Sequence, residues 1–233
     1  KGLMTLRKSM EASSNVIPAK ILQELGKDKA MDVLKKFDVI NEDNKDYFIS
    51  HADNKNKNDE NLESLALGNM QVGLRLSDLS KMYQTIANQG IYKEETGILK
   101  IEDPSGNIII DNSNKNKRLF DEKSSYLLRD VFIRNAKNGN AKGAKINSSE
   151  TGAYLGQNKT KSDYFVNAFN ESHTVSFWLG ADTPKISLAA NSQDALNLFN
   201  KMAKNIGEEE NFKEDPSYIV ARKISSKSGK LAT

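Results

Sequence analysis

Residues 144–180 read AKINSSETGAYLGQNKTKSDYFVNAFNESHTVSFWLG, and they give the clearest indication of the fold class. It contains three strand-like runs, Ala144 to Leu155, Ser162 to Phe169 and Thr174 to Gly180. The tetrapeptide Asn170-Glu171-Ser172-His173 joins the second run to the third as a tight hairpin. The runs therefore predict an antiparallel meander of at least three strands.

Helical patterns lie on both sides of this meander. Residues 191–206 predict a long helix, whose inward positions are Ala195, Leu196, Phe199 and Met202. Upstream, Glu122 to Ala136 predicts another helix, with inward positions Tyr126, Leu127, Val131 and Phe132. The small residues of Gly139 to Gly143 predict a loop between that helix and the meander. Because helices and strands come in blocks instead of alternating, the sequence predicts an α+β fold, with helices packed on a small antiparallel sheet.

The N-terminal half predicts five further elements, four of them helical and one a β-hairpin. Leu3 to Ala12 has apolar residues at helical spacing, and Pro18 suits the first turn of a helix with Ile21, Leu22 and Leu25 on one face, ended by Gly26. A next helix begins at Lys27-Asp28, and its inward residues are Met31, Val33, Leu34 and Phe37.

Two further elements follow a loop over 41–61. Ser77 is the predicted N-cap of a helix through Ala87, and the inward residues of that helix are Leu79, Met82, Tyr83 and Ile86. Gly97 to Asp111 predicts a β-hairpin around Asp103-Pro104-Ser105-Gly106.

Composition limits the classes of function. The chain has 233 residues, 37% hydrophobic and 28% charged, and a net charge of +3. This near balance gives no electrostatic case for nucleic acid. No cysteine is present, which excludes thiolate catalysis and cysteine-based zinc sites. The two histidines, His51 and His173, have no carboxylates at metal-site spacing, so we expect no metal and no cofactor.

Three segments, taken in order, carry a family pattern. The first holds Ser13 and Asn15 as Ser-x-Asn, followed by a short apolar run and a helix that ends in Leu-Gly. The second runs from Leu65-Ala66-Leu67-Gly68 through a helix to Ala87-Asn88-Gln89-Gly90-Ile91-Tyr92. The third is Glu150-Thr151-Gly152, then Asp163-Tyr164-Phe165-Val166, then Val175 to Gly180. Together they resemble the transpeptidase domain of penicillin-binding proteins, most closely the bifunctional kind that also carries a glycosyltransferase.

The resemblance implies a fold, an activity and a set of site residues. The implied activity is peptidoglycan-crosslinking D,D-transpeptidation on the extracytoplasmic face of the bacterial membrane, with a stem peptide as substrate and a β-lactam as inhibitor. Ser13 matches a catalytic hydroxyl that relays protons, and Asn15 matches an amide that binds the peptide group of the substrate. Residues Glu150, Thr151 and Gly152 match the substrate-binding edge strand. An extended peptide would pair with the main chain of that strand, and Thr151 would donate a hydrogen bond.

The sequence departs from the family pattern at two places. Glu150 stands where the family has a lysine that attracts a substrate carboxylate, so we expect repulsion unless Lys142, Lys145, Lys159 or Lys161 compensates. No serine lies three residues before any lysine, so the Ser-x-x-Lys nucleophile motif is not in these 233 residues. In the family this motif precedes Ser-x-Asn. We therefore expect it, the first strands of the sheet and the membrane anchor upstream of Lys1.

These departures leave the activity open and set the expected domain limits. We expect residues 1–206 to form a partial transpeptidase domain and 207–233 a linker and tail. The tail contains Lys227-Ser228-Gly229, which also fits the Lys-Thr/Ser-Gly pattern but has no strand pair after it. By itself the chain is predicted to be inactive, because covalent catalysis needs an activated nucleophile. The alternatives are a catalytically degenerate homologue that binds cell-wall peptide or a partner protein, and an unrelated extracytoplasmic domain.

Overall fold

The computed structural model describes residues 4–41, 47–113, 115–183, 186–212, 216, 219–225 and 228–231. Its helices are α1 Leu6–Glu11, α2 Val16–Leu25, α3 Lys27–Lys36, α4 Leu62–Leu67, α5 Leu76–Ala87, α6 Glu122–Asn138 and α7 Ser192–Ala203. Its strands are β1 Ile91–Lys93, β2 Lys100–Glu102, β3 Ile108–Asp111, β4 Asn116–Arg118, β5 Gly152–Gln157, β6 Asp163–Phe169 and β7 Thr174–Gly180. The combination of helices with antiparallel sheets confirms the α+β prediction.

The predicted meander forms the largest sheet. Strands β5, β6 and β7 pair antiparallel in that order, and β7 keeps the predicted limits while β6 begins one residue after the predicted Ser162. Strand β5 begins at Gly152 and not at Ala144. The preceding residues fold into turns instead, in which Ala144 N–H donates to Ala141 C=O and Ser149 N–H donates to Ile146 C=O. Those local bonds take backbone groups that a longer strand would need.

One face of this sheet packs against α7 and forms the main hydrophobic core. Tyr164, Val166 and Ala168 point to this face from β6 and lie in one buried cluster with Leu196 and Phe199 of α7. Asn191 starts α7 with a capping box, since its side chain accepts from the N–H of Asp194 while the Asp194 carboxylate accepts from the N–H of Asn191. The cap and the apolar face therefore fix the position of α7 on the sheet.

The opposite face carries an aromatic cluster beneath α5 and α6. Phe169 alternates with Ala168 along β6, so its ring lies on this second face. The Phe132 ring of α6 is 6.0 Å from the Phe169 ring, 6.4 Å from that of Tyr154 and 5.2 Å from that of Tyr83. This cluster joins α5, α6, β5 and β6.

A second, smaller core connects the N-terminal helices to the two-stranded sheet β1–β4. Phe37, Val39 and Tyr92 are buried together, and the Phe37 ring lies edge-on to Tyr92 at 5.9 Å. Strands β1 and β4 pair antiparallel, with Ile91 opposite Arg118. Both strands have three residues and were not predicted, because so short a run carries no readable periodicity.

Several side chains predicted to be inward are exposed. Leu127 of α6 and Met202 of α7 are more than half exposed, and Ile21 and Leu25 of α2 are also exposed. The predicted N-cap Ser77 is wrong, because α5 is preceded by Arg75, which makes no side-chain capping bond. A helical period gives the direction of the apolar face but not the width of surface that the neighbouring elements cover.

The C-terminal segment is described in part. Residues 207–212 run along the end of the main sheet, where Glu210 N–H donates to Ser149 Oγ and the Phe212 ring packs 6.1 Å from that of Phe169. The strand predicted from Tyr218 to Ile224 does not appear in the described residues, where Ile224 makes an isolated bridge to Leu231. Three residues named in the sequence analysis, Leu3, Tyr218 and Lys227, lie outside the described residues. None of the described helices combines the length and the apolar character needed to cross a bilayer.

Candidate functional site

The turn between α1 and α2 brings Ser13 to the face of strand β5. Ser13 has a left-handed backbone, with φ 47°, and its N–H donates to Met10 C=O at 3.0 Å. A non-glycine residue in this region costs roughly 1–3 kcal/mol, which the surrounding structure must offset. The Ser13 hydroxyl lies 3.1 Å from the phenolic oxygen of Tyr154. This hydrogen bond links residues 141 apart and joins the Ser13–Asn15 turn to β5.

Asn15 lies at the start of α2 with its side chain exposed. It occupies the N-cap position, but its side chain makes no capping hydrogen bond. An Asn at this position usually accepts a bond from the second or third backbone N–H of the helix. Within the described part of the chain the amide therefore keeps both its donor and its acceptor for other contacts.

Glu150 is neutralised by a lysine that the sequence interpretation did not select. Lys137 Nζ, in the last turn of α6, lies 2.5 Å from Glu150 Oε1. None of Lys142, Lys145, Lys159 and Lys161 forms an ion pair with Glu150 among the described residues, so that expectation is corrected. The predicted helix ends at Ala136, two residues before the observed end at Asn138, and the longer helix includes Lys137. The backbone N–H of Glu150 donates to Asn211 Oδ1 at 3.0 Å.

Thr151 and Gly152 are fixed by packing. The Thr151 hydroxyl is buried, donates to Ser149 C=O at 3.0 Å and accepts from Ile146 N–H at 3.1 Å. Its hydrogen atom is therefore used within the turn before β5. The sequence predicted that Thr151 would donate a hydrogen bond to a ligand, and in this structure the hydroxyl has no free hydrogen for that bond. A Cβ at Gly152 would lie 2.5 Å from Phe169 Cζ, so no larger residue fits without moving that ring.

The outer edge of β5 is partly occupied by side chains. Asn135 Nδ2 donates to Ala153 C=O at 2.9 Å, and Asn140 Nδ2 donates to Leu155 C=O at 2.7 Å. Backbone groups of alternate strand residues point to opposite edges, so Ala153 and Leu155 present theirs away from β6. An extended peptide therefore cannot pair along the whole strand as expected. It is restricted to the stretch near Gly152 unless Asn140 moves.

Tyr154 is a functional candidate that sequence reasoning missed, and Tyr83 lies beside it in the aromatic cluster. Tyr154 stands two residues after Gly152, and its ring is held by Phe132. Burial raises the pKa of Tyr83 well above its ordinary value, and the nearby Tyr154 adds to the rise. The sequence contains one signal for Tyr154. It follows Gly152 by two positions, so its side chain is expected on the same face of the predicted strand as Gly152.

A polar cleft lies beside α5 and β1. It has a volume of about 280 Å³ and is lined by Asp38, Asn41, Arg75, Lys81, Tyr92, Glu94 and Glu95. Beneath it, burial opposes ionisation of Asp78, but hydrogen bonds from Arg75 and Lys81 lower the pKa of that carboxyl overall. Across the described residues no group of three or more His, Asp or Glu side chains is arranged to hold a metal ion.

The fold and the site define a class of protein. Helices pack on both faces of an antiparallel sheet, and a Ser-x-Asn turn meets an edge strand that begins at Gly152, directly after Thr151. The family model described as the penicillin binding protein transpeptidase domain matches residues 1–209, and the chain belongs to that family.

Individual relatives agree with the family. Penicillin-binding protein 4 of Bacillus subtilis is 23% identical over 78% of this chain, and penicillin-binding protein 1A of Clostridium perfringens is 21% identical over 87%. The chain covers 27% and 29% of those two relatives, less than a third of their length. The crystal structure of penicillin-binding protein 1A from Haemophilus influenzae superposes with a TM-score of 0.70 at 17% identity, over 98% of this chain and 38% of that one. This likeness confirms the fold.

Proposed function

We propose that this chain forms one wall of a peptidoglycan D,D-transpeptidase site and that the nucleophilic serine is supplied from outside these 233 residues. The observation that carries the proposal is the contact between Ser13 Oγ and Tyr154 OH at 3.1 Å. It joins the Ser-x-Asn turn to β5, and this contact supports a common site for the two motifs. Family membership supports the reaction class, and the domain division at 206 and an extracytoplasmic location belong to the same proposal.

Each residue has a role in this proposal. The exposed Ser13 hydroxyl passes a proton between the attacking group and the leaving amine. The Asn15 amide binds the peptide group of the stem peptide, because it has both a donor and an acceptor. Residues Glu150 to Gly152 receive the carboxyl end of the peptide, and the nearby cation is Lys137, whose charge Glu150 offsets. A β-lactam, which imitates the peptide, would occupy the same place.

A second candidate function is a degenerate homologue that binds cell-wall peptide or a partner protein without catalysis. Two observations favour it. Glu150 already pairs with Lys137, the cation that a substrate carboxylate would need. Asn135 and Asn140 already bond the outer edge of β5.

Peptide binding by the isotope-labelled chain tests the proposal. We expect an N-acylated peptide ending in D-Ala-D-Ala to shift the amide resonances of Ser13 to Asn15 and of Glu150 to Tyr154. A partner-binding role would leave these resonances in place at millimolar peptide. The same titration with the L-Ala-L-Ala peptide controls for stereochemical selection, and shifts confined to other parts of the chain contradict the proposal.

Replacing Glu150 by glutamine should raise the affinity for that peptide about tenfold, or roughly 1.4 kcal/mol. The change removes a negative charge and leaves Lys137 free to pair with the incoming carboxylate. Because this pair is partly exposed, its contribution is far below the value for a dry interior. The affinity is measured by titration calorimetry or by NMR.

A peptide with a C-terminal carboxamide is the matched control, since it has no charge to attract. Equal gains for the carboxylate and the carboxamide peptide would show that Glu150 does not oppose the substrate charge. A loss of affinity in the glutamine variant would show that the Glu150–Lys137 pair is itself needed for binding.

A further inference from the structure

The hairpin β2–β3 stands apart from the rest of the molecule. Its two strands pair with each other, and no other described helix or strand makes an extensive contact with it. A single two-stranded hairpin is marginally stable in water. The hairpin also exposes a concentration of large apolar side chains, which are Ile98, Leu99, Ile108, Ile109 and Ile110. Exposed apolar patches of this kind mark interaction sites.

The outer edge of β2 has backbone groups directed away from β3. Asn112 N–H donates to Leu99 C=O, and Ile101 lies opposite Ile110 in the register. Because the bonding direction alternates along an antiparallel strand, Leu99 and Ile101 face β3. The backbone groups of Lys100 and Glu102 then point outward. These two residues give the edge two N–H donors and two C=O acceptors.

The sequence of this edge is complementary to itself. If two copies of β2 pair antiparallel about a two-fold axis through Ile101, each Lys100 lies opposite Glu102 of the partner subunit. The outward backbone groups of these two residues then meet as hydrogen-bonded pairs, and the two Ile101 side chains meet as a close non-hydrogen-bonded pair. Opposite charges placed directly across strands stabilise the pairing.

We propose that a second copy of this chain docks on the outer edge of β2 and forms a four-stranded sheet, β3-β2-β2-β3. Charge complementarity selects this occupant, because Lys100 and Glu102, already an ion pair within the strand, each gain an opposite charge from the partner. The isoleucines of the register, Ile110 and Ile101 and their two symmetry mates, form a continuous apolar stripe across the sheet. This two-fold contact is isologous, so it closes at a dimer.

Charge-swap variants test this proposal by sedimentation velocity across a concentration series. Small interfaces are weak, so we expect a reversible monomer–dimer equilibrium that weakens as salt is raised. In the Lys100→Glu dimer the introduced glutamate lies opposite the partner's Glu102. In the Glu102→Lys dimer the introduced lysine lies opposite the partner's Lys100. Each single variant should weaken self-association at least tenfold. The double variant Lys100→Glu/Glu102→Lys restores the opposite-charge pairs and should restore the dimer.

Mixing the two single variants provides a sharper control. In the mixed dimer the introduced glutamate of one chain faces the introduced lysine of the other, and the unchanged Glu102 faces the unchanged Lys100. The mixture should therefore associate although neither variant does so alone. Cross-strand contacts between Ile101 and Ile110 in the NMR spectrum show whether each variant keeps its hairpin. A wild-type chain that is monomeric at millimolar concentration overturns the proposal and would mean that Lys100 and Glu102 protect the edge from pairing. A dimer that the charge swaps leave unchanged also overturns it, because the chains would then associate through another surface.

Discussion

Replacing Phe199 by alanine is expected to lower the free energy of unfolding by about 4 kcal/mol. Phe199 is 1% exposed and lies in the cluster between α7 and the sheet. Its ring is 6.4 Å from that of Phe177 on β7, an edge-on geometry that adds to the burial of apolar area. Alanine would leave a cavity that rigid strands on one side cannot fill.

Leu198→Ala is the matched control for this prediction. Leu198 is the preceding residue of α7 and is 41% exposed, so its truncation should cost under about 1 kcal/mol. Urea unfolding followed by circular dichroism gives both values from the midpoint and the slope. Equal costs for the two variants would show that α7 does not pack on the sheet through the face that contains Phe199.

The elements that the sequence predicted well have strong local signals. Strand β7 has its predicted limits and β6 is one residue short of them, because the turn Asn170 to His173 breaks the pattern sharply. Helix α7 begins where Asn191 and Asp194 have the spacing of a capping box. In both cases the deciding interactions lie within four residues, so spacing alone contains the information.

The contacts that shape the candidate site are not local. Ser13 was selected by resemblance, but its partner Tyr154 is 141 residues away, and no spacing rule connects them. Lys137 reaches Glu150 from another element, and the loop after α6 was interpreted merely as small residues. Asn140, inside that loop, bonds the outer edge of β5. Such pairings depend on how α6 lies beside β5, which only the packed structure defines.

The same limit explains the exposed apolar residues. The hairpin over Gly97 to Asp111 was predicted correctly. The alternation of its residues gave no sign that the other described helices and strands would leave its apolar side chains exposed. Leu127 and Met202 extend the apolar faces of their helices. The neighbouring elements do not reach far enough to cover these two side chains, so both are exposed. Periodicity reports the direction in which a side chain points, and coverage depends on the other elements of the fold.

Incubation of this chain with benzylpenicillin should give no covalent adduct. Acylation needs a nucleophile activated by a neighbouring base, and in the penicillin-binding-protein family this is a serine one helical turn before a lysine. No such pair exists in the 233 residues, and removal of a catalytic serine typically costs on the order of a million-fold in turnover. Among the described residues of the site, Ser13 has an exposed hydroxyl that is a candidate replacement, and the hydrogen bond it makes is to a phenol instead of a lysine or a histidine.

Intact-mass spectrometry after prolonged incubation measures the adduct, and Ser13→Ala is the matched control. An adduct on the wild-type chain that disappears in this variant would contradict the prediction and make Ser13 the nucleophile, with Tyr154 as its hydrogen-bond partner. An adduct that remains in both would point to surface amines, which β-lactams acylate slowly without an active site. Absence of an adduct in both, together with binding of the D-Ala-D-Ala peptide, would separate recognition from acylation. Ser13, Asn15 and β5 would then bind the substrate, and the attacking group would come from another segment.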